Sequence, residues 1–167
     1  MRILNNQRDF EIDAGTAGGL GSQRNSRMSI RILVVDDHDV VRQGVRFILR
    51  SRAEWEVCGE AENGIEALEK IAQLKPDVVL LDVSMPGKDG LAVASELARK
   101  KVPCKIVVLT MHDSSEVASL IQRVGAQGYV VKSHAARDLV RAIQIIVDGG
   151  VFFTVDPSEP KTQTISS

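Results

Sequence analysis

Two unbroken apolar runs, Ile32-Leu33-Val34-Val35 and Val78-Val79-Leu80-Leu81, limit the folds open to this chain, and both end in aspartate. A strand with one wet face alternates polar and apolar residues. A continuous aliphatic run bounded by breakers is a strand covered on both faces. Such strands need helices above and below them, which implies a parallel sheet with helical crossovers. Asp36-Asp37 and Asp82 then leave the ends of buried strands, where a carboxylate loses hydration and needs compensation. Three carboxylates brought together need a cation.

The rest of the chain alternates between two periods. After the first strand, at 30–35, Val41, Val45, Ile48 and Leu49 recur at helical spacing, with Arg42, Arg46 and Arg50 expected outside and Asp39 as a cap. A weaker strand at 56–61 is expected at a sheet edge. Asn63-Gly64 opens a helix that stops before Pro76. The strand at 78–81 leads through Asp89-Gly90 into a helix ending in Arg99-Lys100-Lys101, cations suited to a helix C-terminus. A strand at 105–109 precedes a helix capped by Ser114, with Val117, Leu120, Ile121 and Val124 inward and Gly125 as its stop. The last strand spans 127–131, and the last helix carries Leu139, Ile143, Ile146 and Val147. Phe152-Phe153 are expected beneath that helix. The pattern reads as α/β, a (βα)5 flavodoxin-like doubly wound parallel sheet. The strand order 2-1-3-4-5 is taken from known sheets of that kind.

Residues 1–28 lack periodicity and are rich in glycine, serine and amides, as in Gly18-Gly19-Leu20-Gly21-Ser22. They are expected to be a disordered N-terminal extension, with Met28 a candidate natural start. Residues 29–150 form the domain. Residues 151–167 are expected to be a tail or a truncated linker. At 167 residues and net charge -1, no global field favours nucleic acid or an anionic membrane, and no apolar stretch is long enough to cross a bilayer. Cys58 and Cys104 are the only cysteines. Well separated and in apolar surroundings, they suggest core filler in a reducing, cytoplasmic setting.

In open α/β sheets, sites form beyond the carboxyl ends of the strands. The first strand delivers Asp36 and Asp37, the third Asp82, the fourth Thr110 and then Met111, and the fifth Lys132. The second delivers nothing distinctive. Carboxylate oxygens favour a hard cation, and Mg²⁺ commonly takes one or two carboxylates and a phosphate. Lysine adds a positive point charge for a phosphoryl group, and a hydroxyl and backbone N–H groups can hold its oxygens. The set suits in-line phosphoryl transfer to an aspartate.

At this point the chain resembles the receiver domain of two-component response regulators, over about residues 30–150. Four motifs carry the resemblance. They are Ile32-Leu33-Val34-Val35-Asp36-Asp37-His38, Asp82-Val83-Ser84-Met85-Pro86-Gly87-Lys88-Asp89-Gly90, Val107-Val108-Leu109-Thr110 and Gly125-Ala126-Gln127-Gly128-Tyr129-Val130-Val131-Lys132. Asp37-His38-Asp39 and Arg42-Gln43-Gly44 look like the NarL-type branch, whose members usually carry a helix-turn-helix after the receiver.

The resemblance implies that Asp82 accepts phosphate from a sensor histidine kinase. It implies that Asp37 and Asp82 ligate Mg²⁺ with the Ser84 backbone carbonyl, and that Asp36 acts mainly through water. Lys132 would pair with the phosphoryl group, which would meet the backbone of Val83, Ser84 and Met111. Thr110 would move toward it and Tyr129 would rotate inward, reshaping the face of the fourth helix, fifth strand and fifth helix. His112, two residues beyond Thr110, would influence the phosphate's lifetime. His38 is expected as a helix-start residue rather than a ligand. The chain would be a signalling phosphoacceptor rather than an enzyme, expected to form a homodimer on phosphorylation. It would reach DNA only through an output domain that this sequence does not contain. A stand-alone receiver acting through protein contacts is one alternative. An aspartyl-phosphate phosphatase is another, since Asp37 and Asp39 nominally meet the pattern of haloacid-dehalogenase-like enzymes.

Overall fold

The computed structural model describes residues 29–153. The extension at 1–28, the question of Met28 and the tail beyond 153 lie outside the described residues. The elements run β1 (Ile30–Val35), α1 (Asp39–Leu49), β2 (Trp55–Ala61), α2 (Gly64–Leu74), β3 (Val78–Asp82) and α3 (Gly90–Arg99). They continue with β4 (Lys105–Thr110), α4 (Ser115–Arg123), β5 (Gly128–Val131), a 3₁₀ turn at Lys132–His134, α5 (Ala135–Val147) and β6 (Phe152–Phe153). All strands pair in parallel in the order β2-β1-β3-β4-β5-β6.

The apolar runs do what their composition requires. Alternate side chains of the central strands enter two separate cores. Leu33, Val35, Val79, Leu81 and Val108 meet Ala67 and Ile71 of α2, Val93 and Leu97 of α3 and Ile121 of α4. Ile32, Val34, Val78, Leu80, Val107 and Leu109 meet Val45 and Leu49 of α1 and Leu139, Ile143 and Ile146 of α5. Caps set the helix starts: Asn63, Asp89 and Ser114 each accept a backbone N–H three residues on.

Several expectations need correction. Phe152-Phe153 do not simply pack beneath α5. They add a sixth strand, Gly128 pairing with Phe152 and Tyr129 with Phe153. The close approach depends on Gly128, since a Cβ there would stand 2.2 Å from the Phe152 carbonyl oxygen. Asp39 does not cap α1. His38 occupies the cap position without a side-chain bond to the helix backbone, and Asp39 is the first helical residue. Arg42 does not face outside but is 6 % exposed. On α4 Ile121 is buried and Val117 and Val124 pack half-buried against the same core as expected, but Leu120 is 38 % exposed.

Candidate functional site

β1 and β3 are neighbours, with Val35 opposite Leu81. The residues that follow, Asp36-Asp37 and Asp82, therefore leave the sheet side by side. β3 pairs Asp82 with Leu109, and β4 pairs Thr110 with Val131, so Thr110 and Lys132 emerge at the same end. Asp36 is 0 % exposed, Asp82 2 % and Thr110 5 %. α3 starts against the end of β3. Gly90 lies so close to the backbone of β3 that a Cβ would stand 2.0 Å from the Asp82 carbonyl oxygen.

Lys132 bridges the acids. Its Nζ lies 2.6 Å from Asp36 Oδ2 and 3.1 Å from Asp82 Oδ1. Asp36 Oδ1 accepts the His38 N–H at 2.8 Å, and Asp82 Oδ1 accepts the Ser84 N–H at 3.3 Å. The His38 ring, 65 % exposed, places Nδ1 3.1 Å from Asp36 Oδ1 and 3.0 Å from Asp37 Oδ1. Burial pushes the Asp82 carboxyl above its ordinary range; Lys132 and the Ser84 N–H oppose the shift, while the negative charge of Asp36 adds to it. Burial also works to lower the Lys132 ammonium, but its close contacts with Asp36 and Asp82 outweigh it and hold the pKa above the usual lysine value.

Charge in this cluster is out of balance. Asp36, Asp37, His38 and Asp82 each present a ligand atom, all within 4.8 Å of one another. Asp82 Oδ2 is buried with no hydrogen-bond partner, Asp37 Oδ1 has only the contact with the His38 ring, and Asp36 Oδ2 has only the charge contact with Lys132. Buried acceptors left open cost about 1–3 kcal/mol each. One ammonium does not neutralise three carboxylates. The open oxygens and the oxygen-rich set fit a hard divalent cation such as Mg²⁺; the imidazole nitrogen is not a donor such an ion prefers.

The Thr110 hydroxyl is tied to the backbone of His112, accepting its N–H at 3.1 Å and donating to its carbonyl at 3.2 Å. Ser84 is exposed, as are His112 and Met111, the last by 67 %. The Val83 N–H is spent on the Leu109 carbonyl at 3.2 Å. Phosphoryl contact through it would require that bond to open. Tyr129 is already buried, with its hydroxyl donated to Asp113 Oδ1 at 2.6 Å and its ring edge-on to Phe153 at 5.8 Å. The backbone through Lys132-Ser133 is trans, and the described residues contain no cis peptide. Asp39 stays out of the acid cluster, 62 % exposed and facing Arg42 and Gln43. The Asp37–Asp39 pattern therefore does not build one site, which removes the observation that favoured a phosphatase.

Three participants were not visible in the sequence: the His38 ring, Asp113 as partner of Tyr129, and Arg42. The end of β2, expected to be featureless, supplies Glu60 and Glu62 to Arg42. An arginine at spacings of four along α1, beginning one turn after Asp36-Asp37, was the available signal for Arg42.

The response regulator receiver domain model matches residues 32–144. Over 120 residues the chain is 40 % identical to the response regulator GacA of Pseudomonas viridiflava, covering 72 % of this chain and 56 % of that protein. Over 124 residues it is 39 % identical to the oxygen regulatory protein NreC of Staphylococcus aureus, covering 74 % and 57 %. Its fold is similar to the signal receiver domain of the response regulator NarL from Mycobacterium tuberculosis, with a TM-score of 0.69 and 34 % identity. That match covers 72 % of this chain and 98 % of the other. The chain spans about half the length of the curated relatives it matches.

Proposed function

The chain belongs to the response regulator receiver domain family of two-component signalling, and on that premise we propose that it is a phosphorylation-driven switch of the NarL-type branch, with Asp82 as phosphoacceptor. The observation that carries this reading is Asp82 Oδ2, a buried carboxylate oxygen with no hydrogen-bond partner, at the end of a central strand and beside Lys132.

Each residue then has a task set by its position. Asp82 is the nucleophile: Oδ2 attacks phosphorus of a kinase phosphohistidine or a small phosphodonor, forms the acyl phosphate bond, and the donor departs with the P–O or P–N bonding pair. Asp37 and Asp82, with the Ser84 carbonyl, would hold Mg²⁺, and Asp36 would act through water. When bound, the ion supplies charge neutralisation for the phosphoryl oxygens. Lys132, already between Asp36 and Asp82, would exchange Asp82 for the phosphoryl group. The Ser84 N–H is aimed at the Asp82 carboxylate, and with Met111 N–H it would meet phosphoryl oxygens, as would Val83 once released from Leu109.

The switch follows from the β4–α4 loop. Thr110 can reach a phosphoryl oxygen only by giving up its bonds to the His112 backbone. That shift would disturb Asp113 and so the hydroxyl bond of Tyr129. Because Ile121 is the one residue of α4 that is fully buried, while β5 and α5 are well packed, α4 is the element of the α4, β5 and α5 face most free to rearrange. A sensor histidine kinase is the proposed donor, a homodimer the proposed consequence, and transcription control through an attached output domain the proposed role of the whole protein. The family consists of signalling proteins, and no helix among the described residues is long and apolar enough to cross a membrane.

Beryllofluoride with Mg²⁺ tests the switch. Wild type should change its Tyr129 emission, and Asp82→Asn should not. Equal responses would remove Asp82 from its role.

A further inference from the structure

Arg42 is a buried cation at a position where the helical pattern called for an outward residue. Its guanidinium reaches acceptors on three segments. Nη1 donates to the Asp36 carbonyl oxygen at 2.7 Å, and Nε donates to Glu60 Oε2 at 2.9 Å. Nη2 donates to Glu62 Oε1 at 3.1 Å and Asp39 Oδ1 at 3.2 Å. Glu60 is held from the other side by Arg46 at 2.8 Å. The first of these bonds carries the consequence. The Asp36 carbonyl belongs to the peptide that joins Asp36 to Asp37. Fixing that oxygen fixes the peptide plane, and with it the directions in which two successive carboxylates leave the backbone. The far end of the clamp is β2 and the loop after it, so the acid pair is tied to a neighbouring strand.

Stability alone does not explain a charge here. A well-packed apolar side chain of similar volume often replaces a buried ion pair without loss. A planar fork with five donors is what four acceptors in differing directions require.

We propose that Arg42 is a positioning residue for the metal site, holding Asp36 and Asp37 in the geometry that receives Mg²⁺; this rests on the reading of the acid cluster as a Mg²⁺ site. Charge and position predict opposite signs. Removing a positive charge beside three carboxylates should strengthen cation binding. Releasing the Asp36–Asp37 peptide should weaken it.

The test is a Mg²⁺ titration of the full chain, followed by calorimetry and by the Asp37 amide resonance, with Asp37→Asn as control. Arg42→Gln and Arg42→Lys should both raise the Mg²⁺ Kd about tenfold, the low end of what lost supporting contacts cost a metal site. Excess Mg²⁺ should restore acetyl phosphate labelling of both variants, which a collapsed site would not allow. Wild-type binding together with equal or tighter binding by Arg42→Gln overturns the role of Arg42 alone. A wild type indifferent to Mg²⁺, or Asp37→Asn binding as wild type does, overturns the metal-site reading and this proposal with it. Should both Arg42 variants fail to fold, the wild-type guanidinium resonances decide. They should shift with Mg²⁺ at the midpoint seen for Asp37, and signals unmoved at saturation overturn the proposal.

Discussion

Asp82 is costly where it stands, and the cost has a sign that pH reveals. Its carboxyl is held above the ordinary range, chiefly by burial. The folded state therefore keeps its proton at a pH where the unfolded state has already lost it. The folded state binds more protons in that window, so stability falls as pH rises from the ordinary carboxylate value through the raised one. Asp82→Asn should consequently be more stable than wild type by about 1–3 kcal/mol above that window, in the absence of divalent cation. The advantage should vanish at lower pH, where Asp82 is protonated in both states. Denaturant unfolding in chelator across acidic to neutral pH measures this; a wild type as stable as the variant at neutral pH would contradict it. The cysteines shift in the same direction. Burial pushes the thiols of Cys58 and Cys104 up, both are free, and they suit quiet packing rather than redox work. Asp36, Asp37, Asp82, Thr110 and Lys132 were legible in the sequence because strand ends are marked by where apolar runs stop. Arg42 and Asp113 were not. Arg42 is drawn inward by acceptors 18 and 20 residues away as well as by the nearby Asp36 carbonyl, and Asp113 is met by a donor 16 residues away; local periodicity carries no information about such distant pairs.

At the scale of elements, the central strands and the helix caps followed from local chemistry, and the edges did not. Continuous runs such as Ile32-Leu33-Val34-Val35 admit one environment, buried on both faces. A two-residue strand such as β6 is too short for any period to mark, and it forms because Gly128 lets the backbone of Phe152 come close. The apolar residues of α4 gave a correct helix but an overstated core, since spacing assigns a face without saying how closely the sheet covers it. The two phenylalanines at 47 and 152 separate these cases. Phe152 is 9 % exposed against α5 and β5, and Phe47 is 76 % exposed on α1. Phe152→Ala should cost about 3 kcal/mol. Phe47→Ala should stay within about 0.5 kcal/mol. Chemical denaturation of the two variants checks both, and equal losses would mean that β6 is not part of the cooperative unit.

For the molecule as a whole, the doubly wound sheet explains why acids from β1 and β3, a hydroxyl from β4 and an ammonium from β5 share one rim. Parallel strands all end on the same side, and the β1–β3 neighbourhood brings the carboxylates together. The same architecture separates the site from the readout. Chemistry is proposed at the strand ends, and movement is proposed where α4 is thinly packed. Both depend on one event, formation of an acyl phosphate on Asp82. The most direct measurement is incubation of the full chain with acetyl phosphate, with and without Mg²⁺, followed by intact mass and peptide mapping of the labelled residue. Wild type should gain one phosphoryl group, mapped to Asp82, only when Mg²⁺ is present, and Asp82→Asn should gain none. A phosphoryl group mapped elsewhere, or labelling of Asp82→Asn equal to wild type, would contradict the account.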